Sequence, residues 1–181
     1  MKDPRGYLTD EEIERIFKAC TNIKDYLVVR TLARTGIRVT ELIMIRPTDL
    51  LPNDNQIIIT QLKKRGESYR NVYIDKVTMD TLIEYVRLKK IEPDERIFNI
   101  TRFAIFAIVR KVGKLANINQ VGKSKIHPHN FRHSYAIKAI RSGVDIRKLQ
   151  LLLGHSSYST TAAYLQYGSK ELRDEYDKMF S

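Results

Sequence analysis

The chain has little of what marks an exported or membrane-bound protein. It holds one cysteine, Cys20, so no intramolecular disulfide can form and a disulfide-stapled scaffold is excluded. Cys20 falls in an apolar helical pattern with Ile13, Ile16 and Phe17, where a buried thiol is the ordinary expectation. No apolar run approaches the ~20 residues that cross a bilayer. The opening MKDPRGYLTDEE lacks the pattern of a signal peptide. Internal repeats, low-complexity tracts and Gly/Ser linkers are missing too. The expectation is a soluble, cytoplasmic protein with no membrane partner.

Acidic residues are also scarce relative to basic ones. The chain has 32 Lys+Arg against 21 Asp+Glu, a formal net charge of +11 and a pI of about 9.7. Such a balance favours a polyanionic partner, nucleic acid first among them. The 181 residues are 43% hydrophobic, enough for one globular domain with a core.

Taken in order, the chain reads as helices around one strand pair. Residues 1–7 look like a loose lead-in. Thr9 and Glu12 form a capping-box pattern for a first helix, with Leu8 and Ile13 placed as a hydrophobic staple. A second helix spans about Lys24 to Thr35 and ends at Gly36. A third covers about Val39 to Ile45, stopped by Pro47. The run Ile57-Ile58-Ile59 is the best strand signal, and Tyr69 to Ile74 is the returning strand around a turn at Gly66. Helices follow over about Val77–Lys90, with Met79, Leu82, Ile83 and Val86 inward, and after Thr101, with Ile105, Ile108, Val109, Val112 and Leu115 at helical spacing. A polar loop from Asn117 to Lys125 leads to a helix starting at His127-Pro128 and closing at Gly143. Another spans about Asp145–Leu153, closed by Gly154. Residues 157–167 read as helical, and Ser169 caps a final amphipathic helix.

The chemistry concentrates between His127 and Tyr167. His129 and Arg132 stand three residues apart at a helix start and share a face. His155 follows a helix end, and Tyr164 comes shortly after. Two imidazoles, a guanidinium and a phenol suit a phosphodiester. Taken singly, each has a plainer reading as a cap, a surface group or a packed ring.

Together, these residues stand in four stretches that resemble the tyrosine recombinase family, the Xer-like phage integrases. TGIRVTEL (35–42) is similar to the family's TGxRxxEL box and supplies Arg38 and Glu41. HPHNFRHSYA (127–136) is similar to its HxLRH-type box and supplies His129 and Arg132. LLGHSSYSTTAAY (152–164) supplies His155 and Tyr164. The basic turn KKRG (63–66) lies where the family places a lysine; Lys64 is preferred, Lys63 is the alternative, and Arg65 is the poorer proton donor because it stays protonated.

The resemblance spans about residues 8–180 and implies a fold: mainly α with a small antiparallel three-stranded β-sheet. It implies a single catalytic domain, with 8–167 as its core and 168–181 as a C-terminal helix that packs in cis or docks on a neighbouring protomer. The helical core-binding domain that usually comes first in the family is expected to be absent. Arg38 and Arg132 are expected to clamp the non-bridging oxygens of the scissile phosphate, aided by His129 and His155, with Glu41 orienting Arg38. His129 is the expected base, Tyr164 the nucleophile and the lysine the acid for the leaving 5′ oxygen. Lys63, Arg65, Arg70, Lys123 and Lys125 are expected DNA contacts. Double-stranded DNA is the implied partner, with a tetramer assembled on it, and no metal or other cofactor is required. Two other readings stay open: a non-enzymatic helix-turn-helix-like module over residues 144–164, and type IB topoisomerase-like relaxation.

Overall fold

The computed structural model describes residues 6–63 and 66–154. Helix α1 (Asp10–Lys18) starts as its sequence requires. The Thr9 side chain accepts from the Glu12 N–H, Glu12 accepts from the Thr9 N–H, and Leu8 and Ile13 are both buried. Helix α2 (Ile23–Thr35) is the centre of the molecule. Leu27, Val28, Val29 and Leu32 are at most 1% exposed, the all-round burial of a helix enclosed by others. It packs against α1, α4 (Lys76–Lys89), α5 (Arg102–Leu115) and α6 (Pro128–Arg141).

Cys20 is half-buried and its thiol donates to the Ile16 carbonyl. Burial, then the nearby Asp25 carboxylate, push its pKa up to about 11, so the thiol is inert, though half-buried where its pattern suggests a buried one. Asp25, 2% exposed, accepts from Lys111 and from the Asn22 side chain, tying α2 to α5.

Helix α3 (Val39–Met44) leads into a three-stranded antiparallel sheet of β1 (Leu50–Leu51), β2 (Gln56–Lys63) and β3 (Gly66–Tyr73). In its register Ile57 faces Val72 and Ile59 faces Arg70. Ile57, Ile59 and Val72 are buried, whereas Tyr69 and Tyr73 are more than 60% exposed, the alternation of a one-sided sheet. The fold class expected from the sequence is therefore the one observed. Three local expectations change. The loop after α5 contains a two-residue hairpin, β4 (Gln120–Val121) with β5 (Ser124–Lys125). Ile83 and Leu115 lie at the edges of their apolar stripes and are 36% and 52% exposed. The end of the lead-in is strapped to α6: the Leu8 N–H donates to Ser134 Oγ and Asn130 Nδ2 donates to the Gly6 carbonyl.

Helix α7 (Ile146–Leu153) is capped by the Asp145 side chain and closed by Gly154 in the left-handed region. The calls on residues 157–167 and on the final helix lie outside the described residues, as does the division of domains at residue 168. Among the described residues no helix is long and apolar enough to cross a membrane.

Gly36 closes α2 at φ +63, and a Cβ there would stand 2.7 Å from Tyr135 Cδ1 and 3.1 Å from Leu153 Cδ2. The left-handed backbone and the contact with α6 and α7 both demand glycine. Gly36→Ala is expected to lower stability by about 2–4 kcal/mol, combining backbone strain and overpacking. Urea unfolding should show a lower midpoint at unchanged slope.

Candidate active site

The site is built where the end of α2, the start of α3, the middle of β3 and the end of α7 meet the first turns of α6. Helix α7 ends with its last carbonyls turned out of the helical ladder, where they attract cationic donors. Three arginines take them. Arg132 Nη2 donates to the Leu153 carbonyl at 2.8 Å, and its Nη1 donates to the Gly36 carbonyl at 2.6 Å. Arg38 Nη2 donates to the Gly154 carbonyl at 3.2 Å. Arg70 donates from Nε to the Leu152 carbonyl at 3.5 Å and from Nη2 to the Leu153 carbonyl at 3.3 Å.

Glu41 supplies the carboxylate for this cluster and is only 5% exposed. It accepts the Arg38 backbone N–H at 2.8 Å and Arg38 Nη1 at 2.9 Å. From β3, Arg70 donates Nη1 to Oε1 at 3.3 Å and Nη2 to Oε2 at 3.2 Å. Burial raises the Glu41 pKa, but the Arg38 N–H, the charge and hydrogen bonds of Arg70 and the charge of Arg38 outweigh it. They hold the carboxyl below its ordinary value of 4.5. Arg38 stays 38% exposed at the N-cap of α3, whereas Arg132 is 6% exposed on α6.

His129 sits at the exposed rim, on the first turn of α6. Partial burial, then the charges of Arg132, Arg102 and Arg38, lower its pKa below 6.5. Its ring meets His127 edge-on at a centroid distance of 5.9 Å. His127 and His133 are lowered too, first by burial and next by the charge of His129. The neutral imidazole, with a lone pair to accept a proton, is the form this cationic surrounding favours.

The structure thus brings together Arg38, Glu41, His129 and Arg132. Lys123 and Lys125 stand exposed on the β4–β5 hairpin. The side chain of Lys63, and Lys64, Arg65, His155 and Tyr164 altogether, lie outside the described residues. Arg70, an expected DNA contact, has a guanidinium only 13% exposed whose donors face Glu41 and α7 instead. The sequence carried a signal for this in strand parity, because Val72 and Ile74 are inward positions and Arg70 shares their face. Arg102 and the His127–His133 group carry no motif of their own in the sequence. Their signal is helical spacing around His129 and across α5, which shows only when the two helices are seen side by side. Among the described residues, no group of His, Cys, Asp and Glu side chains could hold a metal ion.

Residues 6–171 match the model of the Phage integrase family. Tyrosine recombinase XerA of Saccharolobus solfataricus is 31% identical over 176 residues, covering 96% of this chain and 56% of that protein. A tyrosine recombinase of Pseudothermotoga lettingae is 33% identical over 178 residues, covering 96% of this chain and 60% of that protein. The chain therefore spans well under two thirds of the length of these curated relatives. The crystal structure of XerA recombinase superposes with a TM-score of 0.79 at 29% identity, covering 96% of this chain and 64% of that one.

In the DNA-free protein, His127, His129 and His133 are expected to titrate with midpoints below 6.5, read from their ring resonances by NMR. His129→Gln should remove one titration and raise the other two midpoints, since the charge of His129 disfavours both neighbouring cations. Midpoints at or above 6.5 would contradict the electrostatics described.

Proposed function

We propose that this chain, which belongs to the phage integrase family, performs site-specific DNA recombination, cleaving and rejoining strands through a covalent 3′-phosphotyrosine. The observation that carries this reading is the convergence of Arg38 and Arg132 on the last turn of α7, with His129 at the rim of the same helix as Arg132. Two forked, permanently charged donors held in one place suit the non-bridging oxygens of a phosphodiester, where charge builds in the transition state. They supply positive charge that a metal ion supplies in other phosphoryl-transfer sites.

In this reading DNA docks with a scissile phosphate against Arg38 and Arg132. Tyr164 Oη attacks phosphorus as His129 takes its proton; a free phenol, with a pKa of about 10, is almost wholly protonated at neutral pH. The bond to the 5′ oxygen breaks, and Lys64, or Lys63 in its place, gives that oxygen a proton. His155 adds a hydrogen bond to the phosphate. The 3′-phosphotyrosine keeps the energy of the broken bond, so a 5′-OH from a partner strand reseals it without ATP. Exchange between two duplexes then passes through a Holliday junction in a tetramer on DNA. Glu41 keeps Arg38 in the geometry that the clamp needs. The net charge of +11 supports a double-stranded DNA partner, and the exposed Lys123 and Lys125, together with Lys63 and Arg65, are proposed backbone contacts.

The test is covalent trapping. The protein is incubated in EDTA with supercoiled DNA and with a pool of nicked duplexes of randomised sequence, and the products are run on denaturing gels. A protein-linked DNA band that vanishes in Tyr164→Phe is expected, with products that join two duplexes. Binding without any adduct would overturn the reading in favour of a non-enzymatic module. Relaxation of the supercoiled DNA with no joined products would favour topoisomerase-like action.

A further inference from the structure

The β2–β3 hairpin reaches the site through Gln61, whose Nε2 donates to Glu41 Oε1 at 3.5 Å, and through Arg70, whose part the phosphate chemistry does not require. Its guanidinium uses both edges. One meets the two oxygens of Glu41 at 3.2 and 3.3 Å, and the other meets the carbonyls of Leu152 and Leu153 at 3.5 and 3.3 Å. Gly154 shows how closely the hairpin is seated. A Cβ there would fall 2.1 Å from Gln61 Nε2 and 2.8 Å from Arg70 Nε, so side chains from both hairpin strands rest on the backbone that closes α7.

Loss of Arg70 would leave the arginine clamp its own supports. Arg38 keeps its backbone N–H and Nη1 on Glu41 and its Nη2 on the Gly154 carbonyl. Arg132 keeps the Gly36 and Leu153 carbonyls. What would be lost are the charged bonds that tie the hairpin to α7 and Glu41, leaving there the long, neutral bond of Gln61 to Glu41. Arg70 pairs with Ile59, and the turn begins where Lys63 pairs with Gly66. Four residues of strand, about 13 Å, separate the tie from the Lys63–Gly66 pair; in sequence the candidate proton donors are Lys63 and the residue after it, Lys64.

We propose that Arg70 is a positioning residue that docks the hairpin against α7 and Glu41, so that the proton-donating lysine of the proposed function, Lys64 or Lys63, reaches the leaving 5′ oxygen. The inference rests on the function proposed above. Only a planar fork with donors on two edges can make both sets of bonds; a lysine ammonium on the same strand can hold one. Removing Arg70 therefore impairs protonation of the leaving group and spares the phosphate clamp.

Single-turnover adduct formation separates the two steps. It is measured on the duplex captured by trapping, with an ordinary phosphodiester and with a 5′-bridging phosphorothiolate at the cleaved bond. A thiolate, whose thiol has a pKa of about 8.5, leaves without a donated proton. Arg70→Gln is expected to slow cleavage of the ordinary duplex by about tenfold or more, toward the range that a general acid contributes. On the phosphorothiolate it should remain within about threefold of the unaltered protein, because the clamp is intact. Arg38→Ala should slow both. Arg70→Lys, which keeps the charge without the fork, should follow Arg70→Gln in direction and is read in its place if Arg70→Gln does not fold. Equal slowing on both substrates, or no slowing on the ordinary one, would overturn the inference while leaving the proposed function standing. No adduct from the unaltered protein on either substrate would overturn both.

Discussion

Three guanidinium groups stand within reach of one helix end, and their mutual repulsion must be answered before anything else in the site can hold its shape. Two kinds of acceptor answer it. The carbonyls of Leu152, Leu153 and Gly154 carry the partial negative charge of the α7 C-terminus and take bonds from Arg70, Arg132 and Arg38. The buried Glu41 carboxylate takes Arg38 from one side and Arg70 from the other. Removing the Glu41 carboxylate would leave the largely buried Arg70 guanidinium without its counter-charge, at a cost of about 3–5 kcal/mol. The excess positive charge remaining at the rim, on Arg38 and around His129, is what a phosphate would meet.

The scaffold reads as a set of devices that bring these groups to one place. Gly36 turns the chain tightly enough for its own carbonyl to receive Arg132 and for α3 to begin at Arg38. Helix α6 carries His129 and Arg132 on one face while Phe131 fills the core at 0% exposure. Its opposite side holds the N-terminal strap through Asn130 and Ser134. The hairpin and α7 then close over Glu41 from two directions. Membership of the phage integrase family gives this arrangement its setting, and the chemistry proposed for it follows from the charges and donors at the rim.

Much of this was legible in the sequence because it is encoded locally. The Thr9–Glu12 cap, the glycines after α2 and α7, and the Ile57–Ile59 strand are signals within a few residues, and the elements formed where they pointed. The pairing of Arg38 with Glu41 was legible for the same reason, being one turn of helix. What escaped was encoded across elements. Arg70 looked like one more cation of a basic hairpin until strand parity was set against the buried Val72. The two-residue strands β1, β4 and β5 are too short to carry a pattern. The reach of Arg102 toward His129 depends on how α5 packs beside α6, and no spacing within either helix announces it. His155, Tyr164 and the competing Lys63 and Lys64 rest on the resemblance alone; His155, Tyr164 and Lys64 lie outside the described residues, as does the Lys63 side chain.

The arginine cluster depends on Glu41 being an ionised carboxylate within it. Its carboxyl is held below 4.5 in the folded protein, so the unfolded chain binds the proton more readily. Stability from this charge is then fully present above about pH 4.5 and is lost as pH falls through the lower, folded value. The direct measurement is urea unfolding of the protein and of Glu41→Gln at a series of pH values from 7 down to 3. The variant is expected to be less stable by a margin constant at higher pH, a margin that narrows once pH drops below about 4.5. A margin independent of pH across that range, or none at all, would contradict the dependence on that charge.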